Sequence, residues 1–184
     1  MPPKQRITRE MILERSFEMF CREGMDVINA RSVAKALNCS TQPIFSYFSG
    51  MQDLKTALEE KAAEQFEAAL HAQNQTGDPL VKTGCAYTRF AAEQPKLFAH
   101  LVTIRKEDPT YPFVGKDSQE ALARQEAEQL ALTMEQASAL CAHMAIYIHG
   151  LAVMGTMQPA SYTPERMAAM IEEMHGMLLK TIRA

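Results

Sequence analysis

Helix start and stop signals recur from one end of the chain to the other, and almost nothing in it alternates with the two-residue period of a strand. Thr8 opens a segment to about Glu23, closed by Gly24. Asn29 opens a short helix ending near Leu37. Ser40 opens another to about Phe48, with Pro43 tolerated in its first turn. Ser49 with Gln52 forms a capping box for a long helix from about Met51 into 73–76. Asp78-Pro79 and Pro95 start the next two helices, ending near Glu93 and Lys106. After a loop at Glu107–Lys116, with two prolines and a glycine, Asp117 with Glu120 and Thr133 with Gln136 cap two more. Thr163-Pro164 opens the last, to about Arg183. The pattern predicts an all-α chain of about nine helices: an N-terminal tri-helical helix-turn-helix head over 1–50, on a helical ligand-binding and dimerisation bundle over 51–184.

At 184 residues, 47% hydrophobic and 22% charged, the chain can build a sizeable core and is neither disordered nor collagenous. No apolar run is expected to reach the roughly 18–20 residues of a membrane span. The first residues, Met1 to Arg6, lack the apolar stretch of a signal peptide, so a cytoplasmic location is expected. Cys21, Cys39, Cys85 and Cys141 are scattered without paired spacing or accompanying histidines and read as buried small hydrophobes. No metal site or cofactor is expected. No nucleophile–base set, paired carboxylates or Gly-rich phosphate loop stands out, so enzymatic activity is not expected. The net charge of −3 is unevenly spread: through Lys55 the balance is +2, leaving −5 beyond it. That sign fits a head facing DNA on an acidic body.

Two short helices joined by a tight turn, behind a longer one, form the order of a tri-helical DNA-binding head. Val33, Leu37, Ile44 and Tyr47 fall where two helices crossing at a steep angle need apolar faces. Ala34 sits where the second helix passes closest. Asn38 falls where the turn needs a left-handed backbone, and Cys39 in a small slot behind it. Ser40 is read as the cap of the second helix, leaving backbone N–H groups outward. These spacings alone also fit a helical hairpin in an ordinary bundle.

Over 8–60, and most closely over Ala30–Leu54, the sequence resembles the tetracycline-repressor (TetR/AcrR) family of bacterial one-component regulators. The matching places are Val33-Ala34, Leu37-Asn38-Cys39-Ser40, Tyr47-Phe48, Met51-Gln52-Asp53-Leu54 and Gly24. Two positions depart from the family pattern. Asn38 stands for a turn glycine, which is physically conservative. Met51 stands for a lysine that touches a phosphate, a loss that lowers affinity and the salt slope by about one contact. The resemblance implies that Thr41, Gln42 and Pro43 lead a recognition helix into the major groove. Gln42 is suited to adenine, and Thr41 or Pro43 to a thymine methyl. It further implies phosphate contacts from Tyr47, Ser46 and Arg31, with Lys4 and Arg6 on an arm ahead of the first helix. Tyr47 alternatively packs against helix one, and Lys4 and Arg6 alternatively form a solvated tail.

Beyond residue 60, Gly84–Phe98 and His149-Gly150 resemble a TetR subset with a Trp-His-Gly triplet, here with Ile148 in place of the Trp. This implies a cavity within helices four to eight and a two-fold four-helix interface from helices eight and nine. Tyr87, Phe90, Phe98, His100, Met144, Tyr147 and His149 are the candidate pocket, suited to an apolar or aromatic small molecule; an ordinary core is the alternative for each. Ala142, Ala145, Ala152 and Gly155, with Met167, Met170, Met174 and Met177, form stripes that suit a homodimer interface, as a palindromic duplex requires. The expected partners are therefore double-stranded DNA, a second copy of the chain and a small effector, with no membrane. A helical dimeric interaction module with weakened DNA affinity is the alternative, motivated by Met51.

Overall fold

A computed structural model describes residues 7–72, 77–104 and 116–184. Among them are nine α-helices and no strand: α1 (Arg9–Glu23), α2 (Ala30–Ala36), α3 (Gln42–Tyr47), α4 (Met51–His71), α5 (Pro79–Glu93), α6 (Pro95–Ile104), α7 (Lys116–Leu130), α8 (Met134–Met157) and α9 (Pro164–Arg183), with a 3-10 turn at Met25–Val27. The loop expected at Glu107–Lys116 and the arm bearing Lys4 and Arg6 fall outside the described residues, except that Lys116 opens α7.

Most helix starts follow their sequence signals. The Thr8 side chain accepts the N–H of Met11, and Gly24 ends α1 at φ 97°. Asn29 and Ser32 cap α2 reciprocally, as Thr133 and Gln136 cap α8. Two caps differ. Ser40 does not cap α3; Thr41 is the N-cap residue, with helical backbone and no side-chain bond. Ser at this place is a good cap by type, but α3 begins one residue later, at Gln42. At α4 it is Asp53, not Gln52, that accepts the Ser49 backbone N–H at 2.9 Å. Asp117 likewise lies inside α7 rather than ahead of it. The turn into α8 holds Ala131 at φ 53°, a left-handed residue with no glycine to announce it.

The chain divides into two compact units: residues 1–65 with 96–101, and 66–95 with 102–184. In the first, Ile12 and Phe20 of α1, Val33 of α2, Ile44 of α3, and Leu54 and Leu58 of α4 are wholly buried. Each such side chain removed from water contributes about 1.5–3 kcal/mol. Leu97 is buried in the same unit, and the His100 ring meets the Phe20 ring edge-on at 5.1 Å.

In the second unit α8 packs against α5, α7 and α9, and α5 against α9. α8 corrects one reading of the sequence: by length and composition it is apolar enough to cross a membrane, with mean hydropathy 1.5. Its charges are sparse, and a scan for unbroken apolar runs passes over it because polar residues interrupt them. Here Ala137, Leu140, Met144, Ile148, Leu151 and Gly155 give it a face buried against the neighbouring helices. The four cysteines are half-buried rather than fully buried. Burial, with Glu126 and Asp78 adding to it, pushes the Cys141 thiol up to about 12, so it stays a neutral thiol.

Candidate DNA-binding site

The turn between α2 and α3 is held by backbone bonds: Asn38 N–H to Lys35 O at 3.1 Å and Cys39 N–H to Ala34 O at 3.0 Å. Asn38 takes φ 52°, the left-handed conformation that Asn tolerates better than most residues. Ala34 is 4% exposed at the crossing and Cys39 is half-buried. With Ile44 wholly buried, α3 is anchored by one inward residue and turns the rest outward.

What it turns outward is a set of uncharged polar groups. Ser40, Gln42, Pro43, Ser46 and Tyr47 line one open groove of about 910 Å³, together with Asn38, Ile7 and Met11. Gln42 is exposed at the first position of α3, and its amide makes no hydrogen bond among the described residues. Thr41 is half-buried beside it, and Arg31 is exposed near the start of α2, with no ion pair among the described residues.

Two candidate phosphate donors are internally engaged. The Tyr47 hydroxyl donates to the Ile7 carbonyl at 3.2 Å, and Ser46 Oγ donates to Gln42 O at 3.0 Å. Tyr47 is 40% exposed, so it is not the inward apolar residue that the helix-crossing pattern made it; Phe48 fills that role at 1%, under the Arg9 guanidinium. Sequence reasoning missed Phe45, which is 52% exposed on α3. The signal was available: in a helix this short, an inward Ile44 sends its neighbour outward.

The pocket candidates are divided between the two compact units. Phe98 and His100 lie in the first unit, where His100 Nε2 sits 3.1 Å from Glu59 Oε1. In the second unit, Tyr87 and Phe90 both meet the Phe66 ring edge-on, at 5.6 and 5.1 Å. Met144 is wholly buried there and Tyr147 half-buried. The Tyr87 hydroxyl lies 2.8 Å from His149 Nδ1. Burial lowers the His149 pKa from its ordinary 6.5. The folded chain therefore takes up this proton less readily than the unfolded chain. The stability this histidine contributes is complete above about pH 6.5 and is lost as pH falls through the lower folded value. Thermal unfolding of His149→Gln beside the native chain checks this. The native melting temperature should fall faster between about pH 7 and pH 5, and parallel curves would contradict the assignment.

Of the interface candidates, Ala145, Ala152, Gly155 and Met167 are buried within one protomer. A Cβ on Gly155 would stand 3.1 Å from Met167 Sδ, so this small-residue stripe admits α9 of the same chain. Small residues at helical spacing show only that some helix comes close. Met170 and Met174 are half-buried, while Ala142 and Met177 are exposed.

These features define an all-α protein with a helix-turn-helix head and a separate helical body. The fold is that of TetR. A TetR variant from Acinetobacter baumannii AYE, solved in complex with minocycline, superposes with a TM-score of 0.54 over 97% of each chain, at 16% sequence identity. No family model matches the chain, and no curated protein matches it.

Proposed function

We propose that this protein is a dimeric DNA-binding transcriptional regulator of the TetR type, released from a two-fold symmetric operator by a small molecule. The observation that carries it is the α3 surface. A left-handed turn at Asn38 sets a short helix whose first residue, Gln42, holds an exposed amide with no hydrogen bond among the described residues, on the same short helix as Pro43 and the exposed Phe45. A glutamine amide pairs bidentately with adenine, and apolar neighbours suit the thymine methyl. Arg31 supplies a backbone contact.

Dimerisation is supported by Ile146 (71% exposed) and Met157 (70%) on α8 and Met177 (48%) on α9, large apolar side chains that a second copy would cover. Of the residues chosen from the sequence, Ala142, Met170, Met174 and Met177 remain available to that interface. For the effector, Tyr87, Phe90, Met144 and His149 form the aromatic, weakly polar cluster that suits an organic ligand. The minocycline carried by the TetR neighbour supports a ligand of that size.

Met51, half-buried at the start of α4, offers no charge to a phosphate. Met51→Lys should raise affinity for duplex DNA and steepen the slope of log K against log salt by about 0.9, one added phosphate contact. Anisotropy with a labelled duplex across a salt series measures this. A second reading, a helical interaction module with eroded DNA affinity, is favoured by Met51 and by the engaged Tyr47 and Ser46 hydroxyls. It gains if Met51→Lys leaves binding unmeasurable at low salt.

A further inference from the structure

Asp78, Glu126 and His175 come from well-separated parts of the sequence, and the second unit gathers them at the start of α5, on α7 and on α9. Each offers one ligand atom, and the three atoms lie within 4.8 Å of one another. His175 Nε2 stands 3.5 Å from Asp78 Oδ2 and 3.7 Å from Glu126 Oε2.

The partners of the remaining atoms are fixed. Asp78 Oδ1 accepts the Leu80 and Val81 N–H groups as the cap of α5, and Glu126 Oε1 accepts the Leu80 N–H at 3.0 Å. That leaves Asp78 Oδ2, Glu126 Oε2 and His175 Nε2 without hydrogen-bond partners among the described residues, although all three are buried atoms. The Glu126 side chain is wholly buried and that of His175 is 10% exposed. A buried carboxylate oxygen without a donor is costly, and three orphan atoms facing one point need something there to bind.

A proton shared by the triad meets this need poorly. The Nε2–H of His175 can point at one carboxylate, and both are too far for a good hydrogen bond. A metal ion meets it better. In a tetrahedral site with metal–ligand bonds of about 2.1 Å, neighbouring ligand atoms lie about 3.4 Å apart. The observed 3.5 and 3.7 Å need only a small inward movement. Two carboxylates balance a divalent charge and admit Mn²⁺, and the imidazole favours a transition metal such as Zn²⁺ over Mg²⁺ and Ca²⁺. Asp78, with a side chain 16% exposed, opens the cluster to solvent.

We propose that Asp78, Glu126 and His175 form a three-ligand site for a divalent transition-metal ion that ties the start of α5 to α7 and α9. The site goes beyond the DNA-binding reading, and its test involves no DNA. The full untagged chain is stripped with chelator and titrated by calorimetry with Zn²⁺, Mn²⁺ and Mg²⁺, with thermal unfolding followed in parallel. Zn²⁺ or Mn²⁺ should bind one per chain and raise the melting temperature, while Mg²⁺ does neither.

Glu126→Gln keeps an oxygen for the Leu80 N–H and removes the buried charge. It should fold, melt no lower than the stripped native chain, and bind the ion about tenfold or more weakly. His175→Gln should weaken binding likewise. No stoichiometric binding by the native chain, or unchanged binding by both folded variants, overturns the proposal. Either result leaves the DNA-binding head untouched.

Discussion

Gly84→Val should lower the free energy of unfolding by about 1–3 kcal/mol, the usual cost of forcing extra carbons into a filled core. A Cβ at Gly84 on α5 would stand 2.5 Å from Ile148 Cδ1 and 3.1 Å from Ile148 Cγ1, and Ile148 is wholly buried on α8. The isoleucine therefore has little room to turn aside. The cause is separable from backbone effects. Gly84→Ala gains helix propensity of up to about 1 kcal/mol but meets the same contact. Ile148→Val removes the Cδ1 atom and costs about 0.5–1.5 kcal/mol alone. The double variant Gly84→Ala with Ile148→Val should be more stable than the sum of the single changes predicts, because the second removes the obstacle to the first. Gly176→Ala on α9, where a Cβ meets nothing within 4 Å, should stabilise. Denaturant unfolding of the native chain and these five variants decides it. Strict additivity would mean that Gly84 is not held small by Ile148.

Gln42→Ala should remove discrimination at one base pair of each half-site, at a cost of about 1–3 kcal/mol in specific binding. Affinity for unrelated duplex should change little, because that affinity comes from phosphate contacts. Gln42 lies on the groove surface and its side chain makes no hydrogen bond among the described residues, so the variant should fold and melt as the native chain does. Arg31→Ala should behave oppositely, weakening binding to all sequences alike and lowering the salt slope by about one contact. Competition between specific and unrelated duplexes separates the two. A Gln42→Ala loss that is equal on every sequence would move base reading to another side chain, with Phe45 the next candidate.

The head was legible because its constraints are local. Asn38 announces a left-handed turn, Ala34 a close crossing, and the Thr8, Asn29 and Thr133 caps lie within three residues of the groups they satisfy. Where a local rule admits two registers it misled: Ser40 has the chemistry of a cap, but the cap position falls on Thr41. Tyr47 and Phe48 are adjacent aromatics, and only the packing shows that Phe48 is the one buried.

The body was less legible because its constraints span distant residues. The Ala145, Ala152 and Gly155 stripe says that a helix approaches, not whose helix it is. His100 reads as a pocket aromatic but meets Phe20 and Glu59 in the first unit. Asp78 reads as a cap, which it is with one oxygen, while its other oxygen faces Glu126 and His175 across the bundle. No spacing rule joins three residues so far apart in sequence.

The most direct test of the central claim is selection of binding sites from a pool of randomised duplexes by the full-length protein at low salt. The account predicts enrichment of an inverted repeat, with half-sites about one helical turn apart, and its loss at one position per half-site with Gln42→Ala. A folded protein that enriches no sequence over the starting pool would contradict it.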